Sequence, residues 1–156
     1  VVMDRIDLAI LELLQRDAGQ SVADIAEAVH LSRGPCWRRI RALEAEGYIR
    51  RRVTLLDPDK LNVGTTVFVH LKTNRHDVEW FESFSSVVRA IPEVVEFHRM
   101  SGDVDYLLRL AIPDIAAYDN VYKQLIRVGG LTDVSASFAL ECIKSTTELP
   151  LGYIRA

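Results

Sequence analysis

Two periodicities divide this chain. Up to Gly47 the apolar residues recur three and four apart: Ile6, Ile10, Leu13 and Leu14, then Ile25, Ala26 and Val29, then Cys36, Ile40 and Leu43. That is the spacing of one buried helical stripe, and it predicts three helices over about residues 4–16, 21–29 and 32–46. Their ends are marked. Asp4 and Ser21 stand where a side-chain oxygen caps free amides, with Asp24 completing a capping-box pattern after Ser21; Ser32 and Pro35 open the third helix, and Gly47 closes it.

After Gly47 the pattern becomes extended. Residues 48–56 read as a strand halted by Asp57-Pro58-Asp59. From residue 65 strand and helix signals follow in regular order: a strand over 65–72, a helix over 77–91 with Trp80, Phe84, Val88 and Ile91 on one side, and strands over 94–100 and 106–112 around Gly102-Asp103. A helix capped by Asp114 runs to Gly129-Gly130, and a last strand runs from about Val134 to Lys144. This β-α-β-β-α-β order predicts a ferredoxin-like unit, an antiparallel sheet with two helices on one face. The fold class is therefore α+β: a helix-turn-helix (winged-helix-like) domain over 1–52, a linker strand or hinge over 53–64, and a ferredoxin-like domain over 65–156. The sheet face without helices needs a cover. Phe68, Phe97, Leu107 and Phe138 offer apolar area on either assignment of faces, which favours a second copy of the chain.

Charge changes the picture of the third helix. Cys36, Ile40 and Leu43 form its packing stripe, while Gly34, Arg38 and Arg41 point nearly the opposite way. From Arg33 to Arg52 there are seven arginines against Glu44 and Glu46, in a chain of formal net charge −3. An acidic protein that gathers its arginines on one helix and the stretch after it is built to meet a polyanion there. With a short helix and a tight turn ahead of it, this is the recognition helix of a helix-turn-helix plan, and duplex DNA is the expected partner. Ser32, Arg33, Gly34, Trp37, Arg38, Arg39 and Arg41 are the candidate contacts, and Arg50 and Arg52 are two more, with two readings open for them: reaching phosphates beside the helix, or keeping an edge strand soluble.

Other chemistries find little footing. Cys36 and Cys142 lack the paired spacing of a zinc site or redox dithiol, and His70, His76 and His98 lack metal-ligand spacing. No nucleophile elbow, phosphate-binding loop or dinucleotide fingerprint is present, so no catalytic residue, cofactor or metal is expected. No apolar run approaches the roughly 18 to 20 residues of a membrane span and no signal peptide opens the chain, so a cytoplasmic protein is expected.

The residues in order resemble the Lrp/AsnC, or feast/famine, family of transcriptional regulators. The resemblance is carried by Met3-Asp4-Arg5-Ile6-Asp7, the helix from Ser32 to Gly47 with Arg39-Ile40 and Leu43-Glu44, Leu56-Asp57-Pro58, Ser101-Gly102-Asp103-Val104-Asp105-Tyr106, and Lys144 to Leu151. It implies a DNA-binding regulator on a near-palindromic operator, homodimers that assemble to octamers, and a small amino-acid effector held where dimers meet, near the turn between the second and third strands of the sheet. His30 stands where the family usually has Gly; His tolerates positive φ better than most residues. Cys36-Trp37 resembles a subgroup that responds to sulfur-containing or branched-chain amino acids.

In that light Gly102 brings backbone amides near an α-carboxylate, and Asp103 or Asp105 meets an α-ammonium, with Val104 between them. Ser135 and Ser137 are expected to add hydrogen bonds and Met100 an apolar contact. On the residues alone a plain hairpin turn is an equally good reading of the same stretch. The alternative from another class is a tetrapyrrole enzyme resembling siroheme decarboxylases, which share the two-domain arrangement. Such an enzyme has no use for Arg38 and Arg41 facing outward together.

Overall fold

The computed structural model describes residues 2–154. The chain forms two compact units, one of residues up to Thr54 together with those from Ile143 on, the other from Leu55 to Cys142.

The first unit holds α1 (Arg5–Arg16), α2 (Val22–Ala28) and α3 (Arg33–Ala45). At the start of α1, the Asp4 carboxylate accepts from the Asp7 amide at 2.8 Å, and Asp7 accepts in return from the Asp4 amide at 3.2 Å. Ser21 makes only its own half of the expected capping box, accepting from the Asp24 amide at 3.1 Å. Ser32 occupies the N-cap of α3 in extended conformation, yet its side chain makes no capping bond. Left-handed residues close α2 and α3. His30, at φ 58°, lets the Leu31 amide reach back to the Ala26 carbonyl at 2.9 Å, and Gly47, at φ 81°, lets the Tyr48 amide reach Leu43 at 3.0 Å. Met3, Ile10, Leu14, Ile25, Ala26, Val29, Cys36, Ile40 and Leu43 make the core.

The chain from Ile143 on groups with this unit rather than with the ferredoxin-like one. Gln15 reads its backbone in both directions, donating from Nε2 to the Leu149 carbonyl at 3.1 Å and accepting the Leu149 amide on Oε1 at 2.8 Å. Arg16 Nε donates to Glu148 at 2.7 Å, and Ile154 packs against the helical core.

The second unit holds β1 (Thr65–Thr73), α4 (Val78–Arg89), β2 (Val94–Arg99), β3 (Tyr106–Ile112), α5 (Ile115–Arg127) and β4 (Leu131–Phe138). The strands pair antiparallel in the order β2-β3-β1-β4. Val67, Val69, Leu71, Leu108 and Leu110 face Trp80, Phe84, Val88, Val121 and Leu125 of the two helices. Phe97 and Phe138 belong to this side: Phe97 meets Phe84 edge-on with ring centres 5.7 Å apart, and Phe138 meets Tyr118 at 5.8 Å. Of the four residues expected to supply apolar area on either face, only Phe68 and Leu107 lie on the open one. By strand alternation they share it with His70, Glu96, His98, Arg109, Ala111, Ser135 and Ser137.

Two extended stretches differ from expectation. β4 stops at Phe138, because β1 starts at Thr65 and the bond from the Ala139 amide to the Thr66 carbonyl, 3.0 Å, is the last rung available. Residues 50–56 pair with no strand among the described residues and are exposed, Val53, Leu55 and Leu56 included.

Candidate DNA interface and effector cavity

The core stripe of α3 sets where its arginines go. With Cys36, Ile40 and Leu43 buried, Arg33, Gly34, Trp37, Arg38 and Arg41 are left exposed. Trp37 is 52% exposed, and the Arg41 guanidinium lies 5.8 Å from its ring centre, a cation-π distance. Arg41 also bonds Glu44 at 3.0 Å, and Arg52 meets the other oxygen of the same carboxylate at 3.2 Å. One glutamate thereby ties the extended stretch after α3 back to that helix. Arg33, Arg38 and Arg50 are exposed and form no ion pair among the described residues, which leaves their guanidinium groups free for phosphates or base edges.

Arg39 departs from its expected role. Its Nη1 donates to Asp4 Oδ2 at 2.6 Å and to Asp7 Oδ1 at 3.0 Å, so it braces α3 against the start of α1 instead of facing outward. Asp7 is only 5% exposed, and a buried carboxylate holds its arginine firmly. The hydrogen bond from Arg39 also draws the Asp4 carboxyl below its ordinary pKa. Burial pushes the Cys36 thiol pKa up and keeps it protonated, against any role as a thiolate.

In the second unit a cavity of about 250 Å³ lies beside the β2–β3 turn, lined by His76, Asp77, Val78, Phe81, Arg99, Met100, Asp105 and Tyr106. Arg99 brings a cation; Asp77 and Asp105 bring carboxylates. Asp77 caps α4 through the Trp80 amide at 3.0 Å, and Arg75 Nε binds it at 2.9 Å. That arginine bond, with the amide second, holds the Asp77 pKa below the ordinary carboxylate range. Asp105 accepts from the Thr73 amide at 2.9 Å, which fixes the carboxylate at the end of β1. A cavity with an arginine, two carboxylates and apolar walls from Val78, Phe81 and Met100 offers a small ligand both signs of charge and an apolar surface.

Of the expected effector residues, Met100 and Asp105 line this cavity. Gly102, Asp103 and Val104 form the turn, with Gly102 at φ 96°, and are not among its walls. Ser135 and Ser137 are elsewhere: they pair with His70 and Phe68 of β1, on the side away from β3, and face the open side of the sheet. His76, Asp77, Phe81 and Arg99 were not foreseen.

No helix among the described residues is long and apolar enough to cross a membrane. Residues 3–50 match the winged helix-turn-helix DNA-binding family, and residues 66–149 match the Lrp/AsnC ligand binding domain. The chain is 49% identical over 149 residues to the glutamate uptake regulatory protein of Zymomonas mobilis, covering 96% of this chain and 91% of that protein. It superposes on the crystal structure of an AsnC family transcriptional regulator from Agrobacterium tumefaciens with a TM-score of 0.94, at 58% identity, covering 98% of this chain and 100% of the other. A transcriptional regulator from Neisseria meningitidis, solved as an L-Met complex, gives 0.92 at 35% identity, covering 97% and 98%. These relatives are regulators, and the tetrapyrrole-enzyme alternative gains no support from them. With a DNA-binding unit and a ligand-binding unit both matched in order, the chain belongs to the Lrp/AsnC family of transcriptional regulators.

Proposed function

We propose that this regulator reads its operator with Arg38 and its neighbours on α3, and that a small amino acid bound beside the β2–β3 turn modulates that binding. The observation that carries the first half is the contrast along α3: Arg39 and Arg41 are held by carboxylates, while Arg38 is exposed and unpaired. Gly34 and Ser32 at the helix start leave room for a phosphate near free amides, and Ser32 keeps its hydroxyl uncommitted. Arg33 and Arg50 supply sequence-independent attraction, as does Arg52 within the reach that its pair with Glu44 allows.

For the effector, Arg99 meets the α-carboxylate, Asp105 or Asp77 the α-ammonium, and Met100, Val78 and Phe81 the side chain. The L-Met complex of the Neisseria regulator supports an amino acid of that kind. Gly102, Asp103 and Val104 shape the turn beside it. A second copy of the sheet covers Phe68, Leu107 and Ala111 on the open face, giving a homodimer that presents two recognition helices to a near-palindromic operator in the cytoplasm, with dimers assembling further toward an octamer. The test is a pair of titrations on the full chain: gel shifts with Arg38→Ala, and thermal shift with the twenty amino acids. A ligand at about 100 times its dissociation constant stabilises by about 2.7 kcal/mol. Wild-type DNA affinity in Arg38→Ala overturns the first half, and no response to any amino acid overturns the second.

A further inference from the structure

Within the first unit, a cleft of about 400 Å³ lies between α1, the extended stretch after α3 and the tail. That is inside the size range of small-molecule sites, roughly 300–1,000 Å³. Leu11 and Leu14 of α1, Ile49 and Val53 of the extended stretch, and Leu149 and Leu151 of the tail give it apolar walls. The tail wall is fixed through its backbone: both Gln15 bonds go to main-chain atoms of Leu149, while the Leu149 side chain stays 71% exposed. Apolar side chains thus stand open to solvent along a cleft whose walls are held in place.

Charge in the cleft is of one sign. Arg50, Arg51 and Arg52 all line it and no Asp or Glu does, in a chain of formal net charge −3. Arg52 meets Glu44 at 3.2 Å, whereas Arg50 and Arg51 are exposed and join no ion pair among the described residues. DNA binding as proposed above uses Arg50 and Arg52; it gives no task to Arg51, and a phosphate backbone has no use for the leucines beside them.

We infer that this cleft is a second ligand site, in the DNA-binding unit, and that it takes a free medium-chain fatty carboxylate. The alkyl chain buries against the leucines and Ile49, and the carboxylate meets the guanidinium groups of Arg50 and Arg51, a charge-assisted pairing that the planar fork of arginine favours. An amino acid fits poorly here, because no carboxylate in the walls receives its ammonium. An alkyl carboxylate in turn fits poorly beside the β2–β3 turn, where Asp77 and Asp105 repel it. Ligand and DNA phosphates compete for Arg50. That competition rests on the DNA reading; the binding does not.

Calorimetry on the full chain with sodium hexanoate, octanoate and decanoate, each below its micelle concentration, tests the site. One decanoate is expected to bind per chain, with each added methylene tightening binding about fourfold. Decyltrimethylammonium, the same chain length with the opposite charge, is expected to bind at least about tenfold more weakly. Arg51→Glu reverses a charge in the cleft, and Leu149→Asp adds a carboxylate to its wall while sparing the backbone bonds to Gln15. Both side chains are exposed, so both variants are expected to keep the wild-type urea midpoint and to lose decanoate affinity at least about tenfold. Arg99→Ala, in the other unit, is expected to bind decanoate as wild type does. No saturable decanoate binding, equal affinity for the cationic chain, no dependence on chain length, wild-type affinity in Arg51→Glu and Leu149→Asp, or loss of binding in Arg99→Ala would each overturn the site. Decanoate that binds as expected but leaves gel-shift affinity unchanged would overturn the competition alone, and the salt dependence of DNA binding in Arg50→Ala tests the phosphate reading by itself.

Discussion

The guanidinium of Arg39 lies 3.0 Å from the carboxylate of Asp7, thirty-two residues earlier in the chain, and this pair joins the recognition helix to the first helix of the domain. Neighbouring arginines on one helix therefore have unlike duties: Arg38 faces solvent, and Arg39 holds the scaffold.

Exchange of each for alanine separates the two. Arg39→Ala leaves a buried carboxylate without its cation and is expected to lower stability to urea on the order of 1 kcal/mol or more. Arg38→Ala is expected to leave the urea midpoint unchanged and to lose about 1–3 kcal/mol in specific DNA binding. A stable Arg39→Ala protein would remove the bracing role.

The same contact sets an acid dependence. Asp4 is held below its ordinary pKa, first by the hydrogen bond from Arg39. A carboxyl with a depressed folded-state pKa contributes stability at pH above its unfolded value, and that contribution is lost as pH falls through the folded one. Unfolding curves collected below about pH 4 should therefore fall more steeply for wild type than for Asp4→Asn. Parallel curves would dissociate Asp4 from acid unfolding.

Salt titration distinguishes phosphate contacts from base contacts. Arg50→Ala is expected to weaken all DNA sequences alike and to flatten the plot of log affinity against log salt by about one unit, whereas Arg38→Ala should relax discrimination at one operator position. An unchanged slope in Arg50→Ala would take that residue off the phosphate path.

In the ligand-binding unit, Gly130 is a sharper structural test than Gly102. Both have positive φ, but a Cβ on Gly130 would lie 2.4 Å from Trp80 Nε1, the atom that donates to the Gly129 carbonyl at 2.9 Å. A Cβ on Gly102 meets nothing within 4 Å. Gly102→Ala is expected to lower stability by about 1–2 kcal/mol through its backbone alone, and Gly130→Ala by more, because the clash with Trp80 is added. Equal thermal midpoints would contradict this ranking.

Arg99→Ala should abolish calorimetric binding of the effector amino acid while the helical and sheet circular dichroism stays as in wild type. Wild-type affinity in that variant would move the α-carboxylate to another donor.

What was legible in the sequence was largely what is decided locally. Asp4, Ser21, Asp77 and Asp114 cap helices within a few residues of themselves, so the helices were placed to within a residue or two. Strand ends were less legible, because a strand lasts only while a neighbour lies beside it. β4 stops at Phe138 where β1 runs out, and residues 50–56 find no ladder. Arg39 could not be told from Arg38 without knowing that two aspartates of α1 lie next to it. Where Ser135 and Ser137 lie depends on strand order, which is not local: β1 stands between β4 and β3, and both serines turn to the open face. Phe97 and Phe138 were ambiguous until register showed which side of the pleat each occupies.

The helix-turn-helix unit is discontinuous, since its last pieces arrive only after the whole sheet has been threaded. During synthesis α1 exposes Gln15 and Arg16 long before Leu149 and Glu148 leave the ribosome, so the N-terminal unit emerges without its final side wall. A nick in the exposed stretch around Leu55 would not set it free either, because the peptide from Cys142 to Ile143 remains as a second tie. Exchanging DNA specificity between relatives by swapping only the first fifty residues would therefore graft a unit onto another chain's tail, and the tail from Ile143 on has to travel with it.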